Sequence, residues 1–362
     1  MKTMNKLFAL MLAISLLAAL PALASDMVPL QGQLERVSIP FQAEYPEHPL
    51  ILGESPTTGL NWEGVYAPVM VVIDNAEGAH PHWGLKDADI LYQVPNAGKG
   101  ATKLLALFSD TAPQAAGGSR SARTPFVDVA RAWGAAFAYA GYPGEGAGAK
   151  ASVPSKLRDG SMSFRQLSFD LLSNNDFSTR ITGYQSPHNL SVNIARIREL
   201  ALENGAAFIP RPFLFTDERP LGYAPATLID VRHFGEEASA GRGNAASYAT
   251  YTYVPEINAY HRENSSGPFI DRDTPGEPIP YANVIVQRVQ FSYSNGYIQL
   301  NNLTGTGAAD IFTGGSYIPG GWYRDSLDSR TVYVDDKGLE LHLQRGKTFI
   351  ILTNDASLVS FR

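Results

Sequence analysis

Short apolar runs of strand length alternate with polar turns through the first part of the chain. Residues 67–74 (APVMVVID) and 102–108 (TKLLALF) are rich in valine or leucine, and residues 86–92 (KDADILY) lead into a further apolar stretch. Apolar runs of this length between turn residues are typical of buried β-strands. The pattern therefore predicts a sheet, with a glycine-containing hairpin or connection at residues 95–100.

A longer apolar stripe with helical spacing begins at residue 124. Thr124 is a good N-cap, and Pro125 suits the first helical position, where its missing N–H is not needed. Asp128 falls in the first turn and complements the helix dipole. The spacing predicts a helix of about four turns. The apolar stripe consists of Phe126, Val129, Ala130, Trp133, Ala136, Phe137 and Ala140.

Beyond residue 205 the pattern changes from helical to strand-like. Residues 192–204 still have one apolar side and predict a helix that ends at Gly205. Residues 209–226 contain several prolines, which is typical of a linker. Short strand-like runs separated by turn residues then follow at residues 227–233, 248–254, 282–293, 297–300, 308–313, 331–334 and 348–353.

These patterns predict a two-domain protein of the α+β or α/β class. We expect an extended lead-in at residues 25–59 and an N-terminal α/β domain with a mixed sheet at residues 60–209. A linker at residues 210–226 would join it to a β-rich C-terminal domain at residues 227–362, built as a small sandwich or barrel-like sheet.

The first 24 residues have the organisation of a secretory signal peptide. Lys2 and Lys6 precede an uncharged apolar run, and small residues at 22 and 24 mark a cleavage position before Ser25. The apolar run is too short for a membrane-spanning helix. We therefore expect an exported protein, periplasmic or extracellular, with no stable membrane insertion after signal cleavage. The absence of cysteine excludes disulfides, a thiol nucleophile and a lipid-bearing cysteine.

The charge balance narrows the class of partner. The chain has 29 Lys+Arg and 35 Asp+Glu, and loss of Lys2 and Lys6 with the signal peptide leaves 27 against 35, a formal charge of −8. An acidic protein is a poor general ligand for nucleic acid or anionic membranes. We expect no nucleic-acid partner, so any anion site must be a local basic pocket.

Such a pocket is predicted at residues 117–126, GGSRSARTPF. Arg120 and Arg123 lie three residues apart, with Ser119 and Ser121 beside them, directly before the predicted helix start. Free N–H groups, the helix dipole and guanidinium groups at a helix N-terminus all favour an anion. The segment therefore predicts a site for a carboxylate or phosphate. The alternative is that the arginines pair with acidic residues of the fold and hold the loop in place.

His188 and Asn189, in the segment SPHNL, are the second candidate. Histidine is the usual general acid or base near neutral pH, and asparagine can orient a substrate oxygen. Beside Ser119 and Ser121 they would suggest serine chemistry, although no GxSxG elbow surrounds any serine. The alternative is that both residues stabilise a loop, with Asn189 capping the following helix.

Metal and cofactor chemistry have little support in the sequence. The His80-Pro81-His82 segment, with Asp74 upstream, has ligand-type residues, but the H-x-H spacing alone is weak and no third or fourth ligand is evident. The glycine-rich residues 141–149 lack the spacing of a phosphate-binding P-loop. We therefore expect neither a metal nor a cofactor.

Several motifs resemble the YerB family of bacterial lipoproteins, whose two halves are domains of unknown function. The N-terminal half carries GL at residues 84–85, ADILY at residues 88–92, TKLLALFSD at residues 102–110, GGSRSAR at residues 117–123 and SPHNL at residues 186–190. In the C-terminal half the resemblance rests on Tyr260, Arg262, residues 283–287, Gly305, Gly307, Gly321, Trp322 and residues 346–348.

The resemblance implies an α/β N-terminal domain and a β-rich C-terminal domain outside the cytoplasm, and it implies no activity. It also implies that the RSAR and PHNL segments lie together. The chain departs from the family pattern where Gln93 replaces a glutamate, where residues 96–98 replace Glu-Gly-Gly, and where Lys103 replaces an arginine. Loss of two acidic positions favours binding over catalysis.

Three functional hypotheses follow. The first is a non-enzymatic envelope protein that binds an anionic small molecule or cell-wall component. Its pocket would consist of Ser119, Arg120, Ser121, Arg123, His188 and Asn189. The second is a hydrolase or transferase acting on an envelope polymer, with Ser121 or Ser119 as nucleophile and His188 as base. The third is an interaction protein that docks through its β-rich domain.

Overall fold

The protein is described by a computed structural model that covers residues 27–30, 38–97, 101–143, 152–158, 167–233, 248–294, 297–300, 303–354 and 358–362. The predicted signal peptide at residues 1–24 lies outside these ranges. The described parts of the lead-in are residues 27–30, where Val28–Pro29 forms a short strand, and residues 38–59, which are irregular with several turns. Residues 38–59 pack on the C-terminal half, where Tyr45 donates a hydrogen bond to the carbonyl of Gly338 at 2.9 Å.

The fold is mostly β, with 41% strand and 12% helix. The β-rich character of the C-terminal half is as predicted, but the N-terminal half is not clearly α/β. Its sheet is formed by antiparallel as well as parallel pairs, and it carries few helices. The short helices explain the difference, because only long crossover helices on both faces produce an α/β layer structure.

One large mixed sheet includes strands from both halves of the sequence. Its strand order is β11-β21-β20-β17-β24-β3-β4-β2-β6-β7, with β18, β19 and β22 attached at the sides. The strands of this sheet are β2 Val69–Asp74, β3 Ile90–Ala97, β4 Ala101–Phe108, β6 Ala136–Tyr139, β7 Ser168–Asp170, β11 Ala224–Pro225, β17 Asn283–Arg288, β18 Phe291–Ser294, β19 Tyr297–Leu300, β20 Gly305–Thr313, β21 Ser316–Arg324, β22 Val332–Val334 and β24 Thr348–Thr353.

The longest strand pairing between the halves is parallel. Strand β24 runs alongside β3, with Ile350 opposite Tyr92. A single apolar core accordingly extends through both halves, from Val69 near the start to Phe361 at the end. The two halves are therefore joined by backbone hydrogen bonds and shared core packing.

A second sheet of seven strands belongs mainly to the C-terminal half. Its order is β1-β25-β12-β13-β14-β15, with β16 paired to β14, and two small sheets are formed by β10-β23 and by β5-β9-β8. The strands of the second sheet are β1 Val28–Pro29, β12 Leu228–Arg232, β13 Tyr248–Val254, β14 Ala259–Asn264, β15 Gly267–Pro268, β16 Pro280–Tyr281 and β25 Leu358–Phe361. The strands of the two small sheets are β5 Ala116–Gly117, β8 Ser178–Arg180, β9 Leu190–Val192, β10 Leu214–Thr216 and β23 His342–Gln344.

The described ranges contain three α-helices: α1 Thr124–Trp133, α2 Val153–Arg158 and α3 Ile194–Glu203. Helix α3 agrees with the prediction. It buries Ile194, Ile197 and Ala201 on one side. Its N-cap is Asn193, whose side chain accepts a hydrogen bond from the Arg196 N–H at 3.0 Å. Asn189, the predicted alternative cap, lies before strand β9.

Helix α1 is shorter than predicted. It ends at Gly134, which adopts a left-handed conformation with φ of 56°, and Ala136 and Phe137 belong to strand β6 instead. Alternation of small and aromatic residues in AFAY fits a buried strand as well as a helix, so the spacing alone could not separate the two. The N-cap is Arg123, and Thr124 is the first helical residue.

The predicted linker at residues 210–226 is built into the fold. Strand β10 pairs in parallel with β23, and β11 pairs with β21. Arg211 is buried and donates to the carbonyl of Arg131 at 2.5 Å. The segment therefore connects the two halves and is itself held by strand pairing and side-chain hydrogen bonds.

Candidate functional site

A buried carboxylate at the end of β2 gathers three basic side chains. Asp74 is fully buried, and Lys103 Nζ lies 2.6 Å from its Oδ1. Arg120 Nε lies 3.0 Å from the other oxygen, Oδ2. His188 Nδ1 contacts the same Oδ2 at 2.7 Å. The four residues are called the Asp74 cluster below.

Each member of the Asp74 cluster has a clear origin in the fold. Strands β2 and β4 are antiparallel, and their register places Lys103 directly opposite Asp74. The Arg120 N–H donates to the carbonyl of Val72 at 2.9 Å, which fixes the loop along β2. His188 precedes strand β9, which pairs with β5. The RSAR and PHNL segments therefore lie together, as the resemblance implied.

The two glycines of GGSRSAR make this approach possible. A Cβ at Gly117 would overlap the ring of Trp83, and one at Gly118 would overlap the carbonyl oxygen of His188. Directly after them, the Ser119 N–H donates to the carbonyl of Leu190 at 2.8 Å. Only residues without a side chain allow the loop to lie this close to the histidine segment.

The cluster holds its carboxylate ionised. Burial alone would raise the pKa of Asp74, but the charges of Lys103 and Arg120 and the hydrogen bond from His188 outweigh it and hold the pKa well below its usual range. Burial lowers the pKa of the Lys103 ammonium, and the charge of Asp74 opposes that effect. Two permanent cations and a histidine thus share one negative charge.

The structure separates the six predicted site residues into two groups. Arg120 and His188 meet on Asp74, and 29% of the Arg120 side chain remains exposed. Ser119 is buried, and its Oγ donates to the carbonyl of Val72 at 3.0 Å. Its hydroxyl is therefore already used within the fold.

The remaining three predicted residues lie in the same two loops. Arg123 donates from Nη1 to the carbonyl of Ala122 at 2.8 Å. Asn189 accepts a hydrogen bond on Oδ1 from Arg180 at 2.7 Å. Ser121 is half-buried between the two arginines of the loop. Internal hydrogen bonds thus hold Arg123 and Asn189.

A pocket of about 570 Å³ lies beside the cluster, and His188 is part of its wall. The sequence did not indicate its other main polar residue, Arg272. This arginine is held by Asp273 through Nε at 2.9 Å and lies over the Trp83 ring, with Cζ 5.3 Å from the centroid. Other polar lining residues are His80, Thr182, Tyr184 and Gln185.

The two histidines considered as metal ligands are packed into the interior. The rings of His80 and His82 lie 4.4 Å apart. His82 Nε2 contacts the carbonyl oxygen of Asp74 at 2.6 Å. Burial lowers the pKa of His80 to about 2 and that of His82 to about 4. Within the described ranges, no three His, Asp or Glu side chains are grouped to hold a metal ion.

A second buried charge, Arg262, lies on strand β14 behind these histidines. It is fully buried, and its Nη2 approaches Gln93 Oε1 at 3.5 Å. Gln93 is one of the positions where the chain departs from the family pattern, and Arg262 is one of the residues that carry the resemblance, but neither signal linked the two residues. The two residues lie 169 positions apart, so no local pattern could have paired them.

The fold and site define a β-rich two-domain protein with one sheet shared between its halves and a buried Asp–Lys–Arg–His cluster. The chain matches the family described as "Protein of unknown function (DUF3048) N-terminal domain" over residues 57–207. It matches the corresponding DUF3048 C-terminal domain over residues 241–350. The chain therefore belongs to the DUF3048 family, with both domains present.

One relative is similar along most of its length. The chain is 28% identical over 317 residues to "Putative lipoprotein YerB" of Bacillus subtilis (strain 168), covering 85% of this chain and 88% of that protein. It is also similar to the crystal structure of YerB protein from Bacillus subtilis, with a TM-score of 0.68 and 25% identity over 84% of this chain and 99% of that one. In the described part of the chain, no helix has the length and apolar character needed to cross a bilayer.

Proposed function

We propose that this protein binds an anionic ligand of the cell envelope in the pocket beside His188. The envelope location rests on the signal-peptide pattern at residues 1–24 and on the lipoprotein name of the Bacillus relative. The ligand class is that of a cell-wall fragment, a phosphorylated glycan or a carboxylate, since such anions occur in that compartment.

One observation carries the proposal: a single carboxylate is shared by three basic side chains, and one of them forms part of a pocket wall. Asp74 neutralises only one of the charges of Lys103 and Arg120. Excess positive charge beside a partly desolvated pocket attracts anions because screening by water is weak there. Arg272 adds a further guanidinium to the same pocket.

His188 is oriented for contact with a ligand. A carboxylate oxygen only accepts hydrogen bonds, so the contact with Asp74 fixes a proton on Nδ1. The other ring nitrogen, Nε2, lies on the side of Gly78, where an added Cβ would be 3.5 Å away. Gly78 is part of the pocket wall. Nε2 can therefore accept a hydrogen bond from a ligand or, when protonated, donate one.

The same geometry supports a second candidate, a hydrolase or transferase acting on an envelope polymer. A carboxylate that holds one nitrogen of a histidine leaves the other to act as general base, as in Ser-His-Asp enzymes. Because the hydroxyl of Ser119 is bonded to Val72, Ser121 is the stronger of the two predicted nucleophiles. Labelling by a fluorophosphonate that is lost in Ser121→Ala would favour this candidate.

Thermal unfolding with three anionic probes tests the binding proposal. Muramyl dipeptide, N-acetylglucosamine 6-phosphate and acetate represent the three ligand classes. A bound probe at about one hundred times its dissociation constant stabilises the fold by about 2.7 kcal/mol and raises the midpoint temperature. We expect at least one probe to raise the midpoint temperature of the wild type. The rise should be smaller in Arg120→Ala, His188→Asn and Arg272→Ala.

Arg196→Ala is the matched control, because this arginine pairs with Glu199 at 3.1 Å on the exposed side of α3. It should retain the full response to every probe. Equal temperature shifts in the wild type and in His188→Asn would overturn the proposed site. Retained binding without fluorophosphonate labelling would favour binding over catalysis.

A further inference from the structure

Arg262 is a buried cation that lacks a carboxylate partner in the described part of the chain. Its guanidinium is fully buried, and two of its nitrogens, Nε and Nη1, have no hydrogen-bond acceptor. Its surroundings are aromatic, with Cζ 4.9 Å from the ring centroid of Phe269 and 5.4 Å from that of Phe349. Burying a charge in this way is costly unless it is paired.

Its neighbours add further unmet hydrogen bonds. His82 donates from Nε2 to the Asp74 carbonyl, because a carbonyl oxygen only accepts. Burial keeps the His82 ring neutral by lowering its pKa to about 4, so Nδ1 carries an unprotonated lone pair. This nitrogen has no hydrogen-bond partner. His80 Nε2 is likewise buried without a partner.

These unmet groups belong to one region of the interior. The ring of Phe269 contacts the rings of His80 and His82, with centroids 6.0 and 5.7 Å away, and it also lies under Arg262. The charge of Arg262 lowers the pKa values of both histidines, after the larger effect of burial. His80 also forms part of the wall of the outer pocket, so it separates that pocket from this region.

We infer that Arg262, His82 and His80 form an inner site for a small oxyanion that carries a hydroxyl group, with hydrogen phosphate as the simplest example. The anion would accept from Arg262 Nε and Nη1 and donate its hydroxyl to His82 Nδ1. This site is distinct from the outer pocket at His188 and does not depend on the function proposed for it.

The hydroxyl requirement gives the inner site a selectivity that charge alone would not. Sulfate has nearly the same shape as phosphate, but at neutral pH it has no proton to donate to His82 Nδ1. An unmet buried hydrogen bond costs about 1–3 kcal/mol, which converts to a difference in affinity of roughly five- to 150-fold. Phosphate should therefore bind at least about fivefold more tightly than sulfate, with about tenfold as the central expectation.

Thermal unfolding at pH 7.5 and matched ionic strength tests the inference, with inorganic phosphate and sulfate as the probes. Phosphate should raise the midpoint temperature of the wild type and of His188→Asn, and sulfate should require about tenfold higher concentration for the same rise. Arg262→Met should abolish the response to phosphate. A phosphate response of equal size in Arg262→Met would overturn the inner site.

Gln93→Glu provides a second test in case Arg262→Met fails to fold. Gln93 Oε1 already lies 3.5 Å from Arg262 Nη2, so a glutamate would supply the missing carboxylate and compete with the anion. We expect a reduced phosphate response. An unchanged response, or equal responses to phosphate and sulfate in the wild type, would contradict the inference, whereas loss of the response only in His188→Asn would assign phosphate to the outer pocket.

Discussion

The Asp74 cluster and the Arg262 region both contain a fully buried charge, but they differ in the partners that surround it. At Asp74 a fully buried carboxylate contacts Lys103, Arg120 and His188. At Arg262 a fully buried guanidinium has the amide oxygen of Gln93 and the hydroxyl of Tyr251 as polar neighbours, and no carboxylate pairs with it among the described residues. Both place buried positive charge inside a chain whose formal net charge is −6.

The two regions also differ in whether solvent can reach their positive charges. Arg120 and His188 are partly exposed, at 29% and 23% of their side chains. Water and solutes can reach them, so their extra charge is a means of attracting ligands. Arg262 is sealed from solvent, so its charge costs stability until something joins it. Each region can be perturbed separately, and the effects differ in size.

The largest effect is expected when the shared carboxylate is removed. Asp74→Asn leaves Lys103 and Arg120 without a counter-charge, and breaking a buried pair on one side costs about 3–5 kcal/mol. Urea unfolding at pH 7.5 measures the loss. Glu199→Gln, at an exposed pair on α3, is the control and should change stability by under about 0.5 kcal/mol. Similar small losses in both variants would show that Asp74 does not organise the cluster.

A slightly smaller loss of stability is expected when the pH is lowered. This loss depends on the buried histidines of the Arg262 region. Burial is the main cause that lowers the pKa of His80 to about 2, of His82 to about 4 and of His233 to about 3, and the charge of Arg262 also lowers each of them. These rings stay neutral in the fold but accept protons in the unfolded chain below about pH 6.5. Each therefore removes stability at about 1.4 kcal/mol per pH unit as the pH falls.

One carboxyl opposes this loss. Burial, and then the charge of Asp110, raises the pKa of Asp89 to about 7, so its protonation favours the fold between about pH 7 and 4. The net loss between pH 6.5 and 5 is about 3 kcal/mol. Asp74 acts only at lower pH, because a lowered carboxyl pKa contributes stability above about pH 4 that is lost on further acidification. Constant stability between pH 7.5 and 5 in urea titrations would contradict the buried neutral histidines.

A moderate gain is expected when Arg262 receives a carboxylate. Gln93→Glu should raise the free energy of unfolding by about 1–2 kcal/mol in phosphate-free buffer, because a charge-assisted hydrogen bond replaces a weak neutral contact. Urea unfolding measures the gain. The same substitution in an Arg262→Met background should destabilise the protein, since the new carboxylate would be buried alone. The idea fails if Gln93→Glu has the same effect in both backgrounds.

The smallest effect on stability is expected at the exposed rim of the cluster. His188→Asn removes a partly exposed contact with Asp74, and such contacts contribute about 1 kcal/mol or less. Binding of the anionic probes should nevertheless be weakened, with a smaller rise in midpoint temperature than in the wild type. A variant with wild-type stability and wild-type probe binding would remove His188 from the proposed site.

Local patterns predicted the valine- and leucine-rich strands β2 and β4 and helix α3, because apolar runs and apolar periodicity report on local structure. They failed at Gly134, where a left-handed glycine ends α1 and the apolar spacing continues as strand β6. Strand β21 was also missed, because SYIPGGWYR contains glycine and proline residues that usually mark turns.

For the site, the sequence predicted which segments would meet but not what joins them. The RSAR and PHNL motifs do come together through Arg120 and His188, yet the carboxylate between them, Asp74, read as the end of a strand. Its partners lie 29 to 114 residues away, and contacts of that separation depend on strand register. Arg262 and Arg272 were missed for the same reason.

The central claim, that excess positive charge at the Asp74 cluster draws an anion to His188, is tested most directly by the imidazole resonances of His188. A two-dimensional NMR titration with N-acetylglucosamine 6-phosphate should shift these resonances saturably, while those of the exposed His342 stay constant. The account predicts that the midpoint of this titration matches the concentration dependence of the thermal stabilisation. Unchanged His188 resonances, while the probe still stabilises the protein, would place the ligand elsewhere and contradict the claim.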